Sequence, residues 1–429
     1  MKVKSHYRIL QTLCGAALIF TGSADARADW LSDALAGGTA DLQLRPRYEL
    51  VQQDGKPNDA NAFTMRTLMG YSIKPQDDFG AMLQLINVSN LGAEDYNNTA
   101  NGKLAYPVVA DPARTAINQA YVSYTGIPDT KAILGRQIII LDNARFVGNV
   151  DFRQNMQTFD GLSAENKSLS NTTFFVSHID HTNASYGNFE TPVGYNLQPV
   201  RIDLLHAAYT PAPGMTLAAY DYFYQDLSVP ANAITNISSR TAGLRLAGKS
   251  PLSAGIKLLY TAEYAQQQGY GGGRSGIDAK YLHFGGGLGD DLGDGSVYAR
   301  VDYELLGSNS NGTYALQTPL ATKHSFSGWA DMFLVTPATG LQDVYATLGG
   351  TFAKFNLLST YRDFHADYNN VHFGNEWDVS AAYPLDKHLT ASVIYATYRA
   401  SDGAGGNFPG TPFPNVNTRK AWLMLAYNY

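Results

Sequence analysis

Cysteine is almost missing from this chain. Its only one, Cys14, lies within the first residues of the sequence, so disulfides cannot be what holds the rest together. Charge is also sparse: Asp, Glu, Lys and Arg make up 16% of the residues, against ~25% in an ordinary globular protein. The net charge of −6 excludes a simple polyanion-coating surface and argues against nucleic acid as a partner. No long apolar run follows position 22, so the body of the chain has no candidate transmembrane helix. A nucleophile-elbow G-x-S-x-G is missing as well. What is plentiful is glycine, at 41 residues, and tyrosine, at 28. This combination suits a β-barrel of the outer-membrane type, with a secreted all-β protein as the competing class.

The first residues read as an export signal. Lys2, Lys4 and Arg8 form a basic start, residues 9 to 22 a short apolar core, and Ala26-Arg27-Ala28 a small-x-small cleavage site. The core falls short of the ~20 residues that a spanning helix needs. Leu13 before Cys14 argues against a lipoprotein site. The expected organisation is a signal peptide over residues 1–28 and a single barrel domain over 29–429.

Periodicity then separates the two β classes. In DLQLRPRYEL, residues 41–50, Asp41, Gln43, Arg45, Arg47 and Glu49 share one face, and Leu42, Leu44, Pro46, Tyr48 and Leu50 share the other. Similar alternation returns at Phe63 to Ile73, Lys257 to Tyr264, Val297 to Leu305, Glu376 to Tyr383 and the terminal KAWLMLAYNY. A terminal aromatic closing such a strand resembles the C-terminal signal of outer-membrane barrels, and by that resemblance the barrel-assembly machinery is an expected partner. Tight polar connections at 74–79, 126–129, 166–170, 211–214, 249–253 and 384–387 alternate with long ones at 91–116, 180–200, 306–340 and 400–417. Short turns on one side and long loops on the other are the expected signature of a barrel with one periplasmic end. The count is about 18 antiparallel strands, with about 16 as the alternative. Because lipid forbids unpaired backbone, the sheet must close. A lipid-facing Arg at mid-bilayer would cost roughly 2–4 kcal/mol, so Arg45 and Arg47 must face the lumen. Pro46 lacks an N–H, and a bulge or irregular pairing is expected there.

The densest polar segment is GRQIIILDNARFVGNVDFRQNMQTFDG, residues 135–161, carrying Arg136, Asp142, Arg145, Asp151, Arg153 and Asp160. A second is HSFSGWADMFLVTPATGLQD, residues 324–343. On these stretches, with LRPRYE and the C-terminal strand, the chain resembles the alginate-export family of outer-membrane barrels. The resemblance implies an 18-stranded, porin-like channel, and for alginate exporters a lumen lined with Arg and Lys. Pore-lining and selectivity candidates are Arg45, Arg47, Glu49, Arg66, Arg136, Asp142, Arg145, Asp151, Arg153, Asp160, Arg245, Arg300, Asp302 and Arg362. Carboxylate binding by such arginines is one reading, and internal ion-pair ladders are the other, since acids share the same faces. Residues 142–154 are expected to form a loop. It either folds inward, with Arg145 and Arg153 facing Asp142 and Asp151, or pairs its own charges outside.

Other signals are weaker. GYGGGRSG at 269–276 lacks the strand-to-helix context of a phosphate loop. His178, Asp180 and His181 have ligand-like types without a metal-site spacing, so neither metal nor cofactor is expected. The function expected is a passive, non-enzymatic outer-membrane channel for polar or anionic solutes, with an alginate-like polysaccharide or small organic acids as candidate cargo. The alternatives are a lipid-hydrolysing barrel enzyme and a plugged structural or adhesive barrel. Expected partners are outer-membrane lipid and the solute, with a monomer favoured.

Overall fold

A computed structural model describes residues 35–186, 197–253, 255–401 and 415–429. The expected signal peptide and parts of the connections around 187–196 and 402–414 lie outside them. Eighteen antiparallel strands form one sheet in which each strand pairs with its sequence neighbours, and β1 (Thr39–Gln53) pairs with β18 (Thr418–Asn428) to close it. The strands are long, as in β2 (Ala60–Gln76) and β3 (Phe79–Asp95). Several run further than the alternation suggested. The turn near 74–79 shrinks to Asp77 and Asp78, both at positive φ, and the segment near 91–116 shrinks to 96–113. These strand ends carry polar residues on both faces, so periodicity gives no mark of where pairing stops.

Alternation sets the two faces. Arg45, Arg47 and Glu49 are buried inside, while Tyr48 is exposed outside. Met69, Leu83, Val122, Leu134, Leu162, Leu205, Leu244, Leu288, Val301, Leu348, Val393 and Leu423 are exposed around the barrel and form its apolar outer belt. That belt is the surface a hydrocarbon layer would cover. At Pro46 the β1–β18 ladder skips from Leu44–Tyr427 to Arg47–Met424 without changing register, and the β1–β2 ladder runs through. The missing N–H thus interrupts one ladder and makes no bulge. Bulges occur elsewhere, between Gln84 and Leu85 and between Phe364 and His365 among others.

Candidate functional site: a lumen bridged by two inward loops

The connection 138–157 joins β5 (Thr130–Gln137) to β6 (Thr158–Asn166), and 307–340 joins β13 (Gly295–Leu306) to β14 (Leu341–Phe352). Both turn into the barrel. They meet there: Gly148 N–H donates to the Leu320 carbonyl at 2.9 Å, Thr322 N–H to the Ala144 carbonyl at 3.0 Å, and Gln157 Nε2 to the Leu320 carbonyl at 3.0 Å. Apolar side chains seat them. Phe146 packs on Tyr220 and Tyr281 at ring centroid distances of 5.3 and 5.2 Å, and Phe152 stacks on His324 and meets Trp422 edge-on. Tyr220, Tyr222 and Tyr224 all point inward from β9 (Met215–Asp226). Phe159 is fully buried in the same cluster.

Charge decides where the first loop lies. Arg45 donates to the carbonyls of Asp151, Phe152 and Arg153 at 2.9, 3.2 and 2.6 Å, and through Nε to Gln154 at 3.1 Å. Arg66 binds the Asp151 carboxylate at 2.6 Å. Arg47 reaches Asp111, and Glu49 at 3.2 Å. On the far side, Arg145 meets Glu304 at 2.8 Å, and the Asp142 carboxylate lies 3.0 Å from His206 Nε2, accepting from it when that nitrogen carries the proton. Loop arginines and loop aspartates therefore pair with the walls and the second loop. The expected facing of Arg145 and Arg153 with Asp142 and Asp151 is not what forms, because wall charges of opposite sign lie closer.

Asp331 is the hub between the loops. It accepts from Arg153 at 2.5 Å, Lys420 at 2.6 Å and His324 at 2.7 Å, while Arg153 also contacts Glu49 at 3.3 Å. Burial alone would push the Asp331 carboxyl upward, but His324, Lys420 and Arg153 outweigh it and hold it well below the usual carboxylate range. Burial lowers the His324 imidazole despite Asp331 beside it. Asp151 follows the logic of Asp331: desolvation opposes its charge, and Arg66 and Arg45 win. Lys323, in a short 3₁₀ turn, is half-buried and has no carboxylate within ion-pair distance among the described residues. Burial, then the neighbouring Arg145, pushes its ammonium down to about 8.

The wall charges divide by side. Arg45, Arg47, Arg66 and Arg114 come from β1, β2 and β4 (Arg114–Tyr124). Glu263, Asp302, Glu304, Asp343, Glu376 and Asp378 come from β11 (Ile256–Gly269), β13, β14 and β16 (His372–Pro384). The candidates Arg245, Arg300 and Arg362 sit among these acids: Arg245 on Glu263 at 3.0 Å, Arg300 on Asp302 at 2.5 Å, Arg362 on Asp343 and on Asp378 at 3.5 Å. Glu376 accepts the Ala330 N–H at 2.7 Å, and Gly328 takes φ +89° above that carboxylate, where a Cβ would collide with it. Two candidates leave the set. Arg136 and Asp160 are direct cross-strand partners, joined at 2.6 and 2.7 Å, and share strand parity with the outward Leu134 and Leu162. Their side chains are 11% and 27% exposed, and Arg136 also donates to the Ile117 carbonyl at 3.2 Å, so the pair is spent along the wall, with no ion pair to either inward loop among the described residues. Sequence reading missed Asp111, Arg114, Lys323, Asp331 and Lys420; Lys420 alone carried a signal, its parity opposite to Leu423 and Leu425.

A closed, antiparallel barrel with an apolar belt and a charged, loop-filled lumen is a transmembrane β-barrel of the outer-membrane, porin-like type. The alginate export family model matches residues 42–305, and the chain belongs to that family. It is similar in structure to OccAB4 of Acinetobacter baumannii (TM-score 0.69, 12% identity, covering 91% of this chain and 98% of that one). It is also similar to OpdK of Pseudomonas aeruginosa, solved with vanillate (TM-score 0.67, 13% identity, 91% and 98%), and to a BenF-like porin from Pseudomonas fluorescens Pf-5 (TM-score 0.68, 15% identity, 92% and 99%). Among curated proteins, none matches the sequence.

Proposed function

We propose that this barrel is a passive outer-membrane channel, not an enzyme, that passes small organic anions in preference to a polysaccharide. The observation that carries the reading is the bridged, two-signed lumen. Segments 138–157 and 307–340 are fastened to the walls by the Arg66–Asp151 pair and by the buried Arg145–Glu304 and Lys420–Asp331 pairs, so a polymer would have to displace both. A small carboxylate needs only the space they leave. It would meet the arginine side of the lumen, where a guanidinium fork suits a carboxylate, and Lys323, which has no ion-pair partner among the described residues. Vanillate, the small aromatic carboxylate with which OpdK was solved, agrees with that cargo class. The chain is proposed to work as a monomer in lipid, closed by its own β1–β18 seam.

Single-channel recording on purified protein tests this. Expected are ohmic openings, anion selectivity under a KCl gradient, and block of the chloride current by benzoate at concentrations where alginate oligomers do nothing. The density of paired luminal charge favours one second reading, a plugged structural barrel. Silent bilayers containing correctly folded protein would establish that reading and remove the channel. Lipid release from vesicles without ion conductance would point to a hydrolase.

A further inference from the structure

Outside the lumen, at the loop end of β15 (Phe355–His365) and β16, lies a cluster that the channel does not use. Asp363, His365 and His372 each direct one ligand atom into a common space, all within 4.8 Å of one another. Strand geometry puts them there. Asp363 and His365 are two apart on one strand and so share a face. His372 is the cross-strand partner of His365. A register shift between Phe364 and His365 turns the pair, and the rings stand 4.7 Å apart at 35°. The connection 366–371 is pinned by the Ala366 N–H to the Val371 carbonyl at 2.8 Å, and the His372 carbonyl accepts from Ser401 Oγ. His372 Nε2 already contacts Asp363 at 2.8 Å, and His365 Nδ1 lies 3.7 Å from the same carboxylate. Two imidazoles thus converge on one carboxylate on a hairpin whose ends are fixed.

We propose that Asp363, His365 and His372 bind a borderline divalent transition metal, of which Zn²⁺ is the reference case. Two neutral imidazoles and a carboxylate are a zinc-type donor set, with a fourth position left for water. Zinc bonds of ~2.0–2.1 Å place tetrahedral donors roughly 3.3 Å apart, so closure needs side-chain rotation and no backbone shift. All three side chains are between 31% and 42% exposed, and an ion enters without opening the fold. Hard cations are disfavoured, since Mg²⁺ and Ca²⁺ prefer a shell of oxygen ligands. The bound ion would clip β15 to β16 at the rim.

The test is calorimetric titration of the tag-free, full-length protein in detergent with ZnCl₂, and with MgCl₂ in parallel. Expected is one saturable Zn²⁺ equivalent and none for Mg²⁺. Loss of an outer-shell partner alone weakens metal sites by about 10–100-fold, so His365→Ala and His372→Ala should each weaken binding at least about tenfold. Asp363→Asn should do so without altering side-chain shape. His178→Ala, which removes exposed His–Asp contacts of 2.6 Å to Asp203 and 3.6 Å to Asp180, should change nothing. Heat-modified gel mobility verifies that each variant is folded. Absence of saturable Zn²⁺ binding, or binding equal in wild type and the folded His365→Ala/His372→Ala double variant, overturns the proposal.

Discussion

The two sides of the lumen solve the same problem with opposite signs. On β1, β2 and β4, arginines outnumber acids, and the excess is met by carbonyls and by Asp151 and Asp111 brought in by connections. On β11 to β16, carboxylates outnumber arginines, and the excess is met by Arg145 and by the Ala330 N–H. Neither wall is satisfied by itself. A buried charge without a partner is costly, so each wall needs a loop of complementary charge, and segment 138–157 answers both: its Asp151 meets Arg66 and its Arg145 meets Glu304. The result is a field across the passage, oriented at right angles to the path of a solute.

The largest effect is expected where a wall arginine holds most. Arg47→Ala leaves the buried Glu49 and Asp111 with Arg153 alone, at 3.3 and 3.7 Å, a loss of up to about 3–5 kcal/mol for a broken buried pair. Undocking of 138–157 should follow, seen as faster proteolysis within it and a larger, noisier conductance; a tight loop with wild-type current would show that the arginine wall is not what holds it. The next test sets the walls against each other. Arg66→Gln should shift the reversal potential toward cations and Glu304→Gln toward anions, and shifts of the same sign would refute a two-signed lumen.

A smaller effect is expected from Lys323, which is cationic below about 8 and neutral above it. Anion selectivity should decline as pH rises through roughly 7 to 9, one unit to either side of that midpoint. Lys323→Gln should flatten the decline, and an unchanged profile would assign it to another group. Arg274→Ala, in the glycine-rich outer segment, should do least. Its guanidinium lies over the Tyr314 ring at 5.8 Å and forms no ion pair among the described residues.

The comparison also shows what a sequence displays and what it hides. Strand parity displays the walls: Arg45, Arg47, Glu49, Arg66, Arg300 and Asp302 alternate with apolar residues, and period two reports a face directly. It hides partners across the lumen, because nothing local links Asp331 to Arg153 or Arg145 to Glu304. Arg136 and Asp160 show the limit from the other side. Dense polar sequence suggested a luminal site, yet cross-strand register sets the two opposite each other, and they pair with one another. The metal-like cluster stayed hidden for a similar reason, since His365 and His372 become neighbours only through pairing and a bulge.

The seam between the first and last strands bears on how the molecule comes into being. Leu42 and Tyr429 exchange backbone hydrogen bonds at 2.9 and 3.4 Å across almost the full length of the chain. Contacts of such sequence separation form late, because the entropy of closing so long a loop is lost before the pairing rewards it. Until Thr418–Asn428 arrives, β1 and β17 (Leu389–Ala400) are both open edges, each a template for mispairing. A chain halted before its final strand is therefore an aggregation hazard with two sticky ends, not a smaller barrel.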